Sequence, residues 1–292
     1  MHSSSGRWAT YNTPMDGQRW ASAHQIVFKA RQGSPELNCC SVNSPRGFGM
    51  LSDWALMRDD ESIRLNYYGP SRMILPLNQE VNLELTKETD YQVSGRIVLA
   101  VSPSAPIELT LKLRIPYWSQ QTEVRLNGQA LSSPRPGQYL GIRRTWQPGD
   151  RIQLELDMSL HFWPGEREFQ GKTSIYRGPL LLAFDQRYNL HLAPQARSVR
   201  QADPWKPFTN PLEIPELDAR TMQGQRVSWK EWLPPLLLLE YTAMNGVRLW
   251  LCDFGSAGDG GSPYVSWLPV ANVPTPVEFS RQNPLRSTHI PG

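Results

Sequence analysis

The chain is short of cysteine, of charge and of long apolar runs, and each shortage excludes a class of protein. Three cysteines in 292 residues, Cys39 and Cys40 side by side and Cys252 far downstream, do not make the disulfide framework of a small secreted domain. Lys and Arg number 30 against 27 Asp and Glu, a net charge of +3. That balance argues against nucleic acid or an anionic membrane surface as the main partner. The longest aliphatic run, Leu236–Leu239, is far too short to cross a bilayer and reads as a buried strand. The first residues show no basic stretch followed by an apolar one, so no signal peptide is visible, and no acceptor Asn-x-Ser/Thr occurs. These absences point to a reducing compartment, cytoplasmic rather than secreted.

What is present is turn-forming and aromatic: 26 Pro, 21 Gly, 11 Trp and 10 Tyr, with only 20% charged residues. Such a mixture suggests short strands joined by turns, with aromatic rings in a core or lining a sugar-binding face. Residues 1–42 are polar and aperiodic. Ser44–Pro45 offers an N-cap and a first-turn proline, and Phe48, Leu51, Trp54 and Ala55 follow at helical spacing, which predicts one amphipathic helix over 44–58. From residue 63 the period becomes two. Ile107, Leu109, Leu111, Leu113 and Ile115 share one face, as do Ile152, Leu154, Leu156 and Met158; "VNLEL" and "GRIVLAV" are shorter examples. Asn127–Gly128, Pro136–Gly137 and Pro148–Gly149 mark turns between them. A second β-region opens at "TSIYRGPLLLAFD", is interrupted by a Pro-rich stretch over 194–235, and resumes with "LLLLEYTAM" and "NGVRLWLCDF". The reading is mainly β: two antiparallel β-sandwich domains over 63–165 and 166–292, the second with the Pro-rich insertion, preceded by one helix in a leading segment, 1–62.

The cysteine pair carries the chemistry. A thiolate is stabilised near a helix N-terminus and serves as a nucleophile or a zinc ligand, and Arg46 adds positive charge to the segment. The plainer alternative is two small buried apolar side chains. Glu36 is a further possible metal donor close in sequence, although an acidic loop residue is usually just solvated, and His24 is a second possibility. Cys252 ends an alternating strand and reads as core. "FQGKTS" imitates the end of a phosphate-binding loop, but Glu166 stands where the first glycine is required and a strand follows. Asp253 and Asp259 in "CDFGSAGDGGSPY" match no calcium-loop spacing, so that segment is expected to be a flexible surface loop. His161 and His191 are expected to be structural or superficial. Trp118, Trp146, Trp163, Trp205, Trp229, Trp232 and Trp267 are candidate sugar platforms, with core packing the default for each.

Several motifs in fixed order then carry a resemblance. "ELNCCSVNSPR", "LNYYGPS", "ETDYQVSG", "LKLRIPYWS", "VRLNGQ", "GQYLGIRRTWQPGD" and "YRGPLLLAFD" resemble the C-terminal portion of the β-L-arabinofuranosidase family, glycoside hydrolase family 127 and its relatives. The resemblance implies an (α/α)6 barrel followed by β-sandwiches, with residues 1–62 a remnant of that barrel and the helix its last. It also implies a retaining, zinc-dependent hydrolase of L-arabinofuranosides or similar sugars. Cys39 would be the nucleophile and also a zinc ligand, and Cys40 a second ligand. The family's Glu-x-Cys pair, which completes the zinc shell, has no counterpart here, since no cysteine precedes Cys39. Glu36 fills neither role. The expectation is a truncated or split member that binds zinc only if the missing ligands are supplied. Its partners would be a carbohydrate substrate and a separate chain carrying the rest of the barrel, with no nucleic acid and no membrane; alone it is expected to be inactive. The alternative is a non-catalytic carbohydrate-binding or structural β-sandwich protein.

Overall fold

A computed structural model describes residues 15–17, 46–192, 212–230, 233–259 and 261–274. They fall into two units, one over 49–160, the other over 161–274 with 15–17 and 46–48. The protein is mainly β. A two-residue strand, β1 (Asp16–Gly17), belongs to the second unit.

The first unit opens with helix α1 (Leu51–Ala55), which runs directly into strand β2 (Leu56–Arg58). The helical spacing predicts a helix to about Arg58; the chain instead turns extended after Ala55. The reason is pairing: Leu56, Met57 and Arg58 lie opposite Leu65, Arg64 and Ile63 of β3 (Ser62–Leu65) in an antiparallel ladder. That ladder satisfies backbone groups that one more exposed helical turn would leave to water. Ser44–Pro45, the expected cap, lies outside the described residues.

Eight further strands follow: β4 (Ser71–Pro76), β5 (Asn82–Thr89), β6 (Arg96–Pro103), β7 (Ile107–Arg114), β8 (Glu123–Leu126), β9 (Gln129–Ala130), β10 (Tyr139–Trp146) and β11 (Asp150–Glu155). They make a six-stranded sheet, β4-β5-β6-β11-β8-β9, and a four-stranded sheet, β10-β7-β3-β2. The pairings are antiparallel except β3 with β7, which is parallel, Ile63 opposite Leu111. Alternation drives the two sheets together. Leu83, Leu85, Ile97 and Leu99 of one meet Ile63, Leu111, Leu113 and Trp146 of the other in a single buried cluster. Each such aliphatic contributes about 1.5–3 kcal/mol of burial. The β8–β9 connection is the expected Asn127–Gly128 turn, with positive φ at both residues, 50° and 84°, as a tight hairpin of this twist needs. The Asn127 side chain ties it to β11, donating to Asp150 Oδ1 (2.7 Å) and accepting from Arg151 N (2.8 Å).

The second unit contains β12 (Leu160–Pro164), β13 (Thr173–Arg177), β14 (Leu180–Asp185), β15 (Leu217–Asp218), β16 (Gln225–Arg226), β17 (Leu238–Thr242), β18 (Arg248–Asp253), β19 (Tyr264–Val265) and β20 (Val270–Ala271). Its main sheet runs β1-β19-β14-β18-β17-β16, and β13 joins both β14 and β12; β15 and β20 form a small parallel pair. Lys172 leads into strand β13, as the sequence required for rejecting a phosphate loop. Leu237, Leu238 and Leu239 are buried, Leu236 is exposed, and Cys252 is fully buried in β18.

Candidate functional site

Cys39 and Cys40, with Glu36 and His24, lie outside the described residues. Arg46 is described and exposed, on a helical turn just before α1. Among the described residues no group of three or more His, Cys, Asp or Glu is placed to hold a metal ion.

The expected surface loop after β18 is instead buried. Asp253 and Asp259 are 2% and 4% exposed. Asp253 accepts from Leu237 N (3.0 Å), Ser256 N (2.9 Å) and Ser256 Oγ (2.9 Å). The loop is anchored from the other side by Asp185, which accepts from Arg187 N (2.7 Å), Gly258 N (2.8 Å) and Ser262 Oγ (2.5 Å). Burial pushes both the Asp185 and Asp253 carboxyls above the usual range, while these hydrogen bonds pull the other way. Ser256 and the Gly258 N–H are used as hydrogen-bond partners of these buried carboxylates, so the loop is held in the interior rather than left on the surface.

The remaining candidates for which the structure gives partners make structural contacts. His161 stacks on Tyr176 at 5.3 Å, and His191 sits edge-on to Trp250 with Nε2 2.9 Å from the Arg248 carbonyl oxygen. Trp146 is core, Trp118 packs against that core, Trp267 stacks on Phe169 and Trp229 meets Tyr188 edge-on. Trp163 is half-buried, and Trp205 and Trp232 lie outside the described residues.

Among the described residues of the sandwich of the first unit, the exposed aromatic side chains are tyrosines. At one end of the first unit the C-terminal ends of β3, β5 and β7 and the start of β10 converge, as the parallel β3–β7 register requires. Asn66, Tyr67, Tyr68, Tyr91, Gln92 and Arg114 line a cleft of about 220 Å³ there. Tyr68 is its floor: it is 2% exposed, donates from Oη to the Arg114 carbonyl (2.6 Å) and meets Tyr91 edge-on at 6.1 Å. Asn66 is committed to structure, donating to Trp54 O (2.7 Å) and accepting from Tyr139 Oη (2.5 Å). These tyrosines were missed in the sequence; their signal was position, each lying at a strand end beside a turn, in "NYYGP", "DYQ" and "PGQY".

Behind the cleft Lys87 is buried, with Nζ donating to the Tyr67 carbonyl (2.6 Å). Burial without a neighbouring carboxylate pushes its pKa down to about 8 from 10.5. Between those values the unfolded chain binds more protons than the folded one, so stability rises with pH. The expected result is a higher urea midpoint at pH 9.5 than at pH 7.5, with the difference absent in Lys87→Met. Beyond pH 10 the slope reverses, because burial pushes the hydroxyls of Tyr68, Tyr188 and Tyr241 upward and the folded state then keeps the extra protons.

A second cleft, of about 410 Å³, is lined by Asp59, Glu61, Thr110 and Arg143. Its central carboxylate is occupied: Asp59 accepts from Ser62 Oγ (2.7 Å) and pairs with Arg64 (2.5 Å), and the Ser62 hydrogen bond holds its pKa down to about 2.

Residues 62–158, the whole of β3–β11, match the family profile described as "Beta-L-arabinofuranosidase, GH127 middle domain". The chain resembles GH127. A search of curated protein sequences gives no match. Solved structures agree in fold. A glycoside hydrolase superposes with a TM-score of 0.69 at 20% identity, over 92% of this chain and 46% of its own. A GH127 β-L-arabinofuranosidase from Geobacillus stearothermophilus T6 gives 0.66 at 20% identity, over 92% and 44%. Another GH127 β-arabinofuranosidase gives 0.61 at 20% identity, over 81% and 39%. The chain therefore spans less than half the length of each of these structures.

Proposed function

We propose that the chain is the C-terminal part of a retaining glycoside hydrolase that acts on L-arabinofuranosides or similar sugars through Cys39, and that it is inactive alone. The observation that carries this is the superposition of 92% of the chain on less than half of a GH127 β-L-arabinofuranosidase. Helix α1 supports it. None of its residues is buried, and Leu51 and Trp54, with Met57 just beyond, remain 41%, 42% and 48% exposed, as suits the edge of a larger helical body.

In this reading the Cys39 thiolate attacks the anomeric carbon; a C–S bond forms as the C–O bond to the leaving group breaks. The leaving oxygen departs as an alcohol, taking up one proton. Water then attacks the anomeric carbon, breaks the C–S bond, gives up one proton in its place and returns the thiolate, and the two inversions retain configuration. Zinc is proposed at Cys39 and Cys40. Two thiolates fill half of a tetrahedral shell, and the sequence has no Glu-x-Cys pair to complete it, so no step is routed through the metal.

The purified chain is expected to hold less than one equivalent of zinc by elemental mass spectrometry and to show no turnover of p-nitrophenyl β-L-arabinofuranoside. Co-expression with a polypeptide supplying the rest of the barrel is expected to give turnover that Cys39→Ala removes. Turnover by the chain alone, lost in Cys39→Ala, would sink the claim of inactivity. No turnover of any glycoside by a zinc-loaded, co-expressed assembly would favour the non-catalytic β-sandwich reading.

A further inference from the structure

We infer that the tyrosine cleft at the end of the 49–160 unit is a carbohydrate-binding site in its own right, taking one ring of a glycan against Tyr67 and Tyr91, with Gln92 and Arg114 donating to its hydroxyls. The inference goes beyond the chemistry of Cys39; only the choice of arabinose-containing probes rests on that reading.

Four features carry it. First, the polar groups of the cleft divide into committed and uncommitted sets. The Tyr68 hydroxyl and the Asn66 amide are used within the protein. The Tyr67 and Tyr91 hydroxyls, the Gln92 amide and the Arg114 guanidinium make no hydrogen bond or ion pair to any described residue, yet line the same cleft. Arginine offers five N–H donors in a planar fork, suited to two adjacent sugar oxygens at once, and glutamine both donates and accepts.

Second, the aromatic component is tyrosine. A sugar ring presents C–H groups on its faces and hydroxyls on its edge, and tyrosine matches both with a flat apolar face and a polar tip. Tyr67 leaves 36% of its surface open, whereas the tryptophans of this unit's sandwich are packed into its core or against it.

Third, the size fits one ring. About 220 Å³ lies below the range of pockets for drug-sized ligands and is in scale with a monosaccharide unit.

Fourth, the walls are held in place before any ligand arrives. Asn66 links the carbonyl at the end of α1 to the hydroxyl of Tyr139, Lys87 clamps the Tyr67 carbonyl, and Tyr68 is pinned to the Arg114 carbonyl. Little ordering is then required of the loop on binding, which favours recognition of a small, weakly bound ligand.

The test is a titration of the whole chain with L-arabinotriose, and with cellotriose as a pyranose comparison, followed by amide chemical shifts and isothermal calorimetry. Binding in the millimolar range is expected, with shifts at Tyr67, Tyr91 and Gln92, and affinity weakened about tenfold or more in Tyr67→Ala and in Arg114→Ala. Both positions are exposed, so melting temperatures should match the parent; Gln92→Ala, also exposed, provides a further variant if either fails to fold. Absence of binding by both sugars, or binding that all three variants leave unchanged, would overturn the proposal. Because the readout is binding rather than hydrolysis, a failure of the Cys39 reading leaves it standing, and its own failure leaves the Cys39 reading standing.

Discussion

Replacing Trp146 by alanine is expected to cost about 3–5 kcal/mol of folding free energy, a large share of what a domain of this size possesses. Trp146 closes strand β10, is fully buried at the centre of the first unit's core, and lies opposite Ile107 in the ladder with β7. Its indole N–H donates to the Leu109 carbonyl (3.1 Å), so the ring both fills volume and satisfies a backbone acceptor. Arg144 lies over the ring at 5.5 Å and pairs with Asp150 at 3.5 Å, covering it from solvent. Trp146→Phe keeps most of the volume and loses the donor, and is expected to cost about 1 kcal/mol plus a smaller packing loss. Urea unfolding followed by far-UV circular dichroism separates the two variants. Equal losses would mean that the hydrogen bond, not the volume, dominates at this site.

The second large effect is expected at Asp185. Its carboxylate is 0% exposed and accepts two backbone N–H groups and one hydroxyl from three different residues. Asp185→Ala leaves the Arg187 and Gly258 N–H groups buried without acceptors and is expected to cost about 3 kcal/mol or more. Asp185→Asn retains the shape but turns part of the side chain into a donor facing donors, and is expected to fall between alanine and the parent. Because Gly258 and Ser262 belong to the loop after β18, hydrogen exchange should quicken there first. A loss confined to the neighbourhood of Arg187, with the loop still protected, would show that the loop is secured by Asp253 and does not need Asp185.

The strands of both units were legible in the sequence because each pairs a hydrophobic alternation with turn residues at its ends. Leu111 and Leu113 are buried as their spacing required, and Asn127–Gly128 adopts the turn its residues demand. Legibility failed where tertiary pairing outweighed local pattern. Leu56–Arg58 continues a helical spacing, but β3 offers it a ladder. Lys87 extends the alternation of Leu83 and Leu85 to a third inward position, where a lysine is not expected; the Tyr67 carbonyl that receives it lies twenty residues away. The serine- and glycine-rich loop holding Asp253 and Asp259 carries the composition of a surface segment, and only the partners Asp185 and Leu237 reveal it as interior. The tyrosine cleft was hidden for the same reason, since Tyr67, Tyr91 and Arg114 come from three separate strand ends that meet only once the sheets have formed.

The parallel pairing of β3 with β7 also governs how the first unit can assemble. Ser62 and Thr110 are paired although β4, β5 and β6 lie between them in the sequence, whereas β5–β6 closes over a short connection. Joining distant segments has an entropic cost that nearby hairpins largely avoid, so topology places β3, and with it β2 and α1, among the late arrivals on the folding pathway. During synthesis the segment bearing α1 leaves the ribosome before the strand that fixes it, and its Leu51 and Trp54 remain open to any surface that reaches them first.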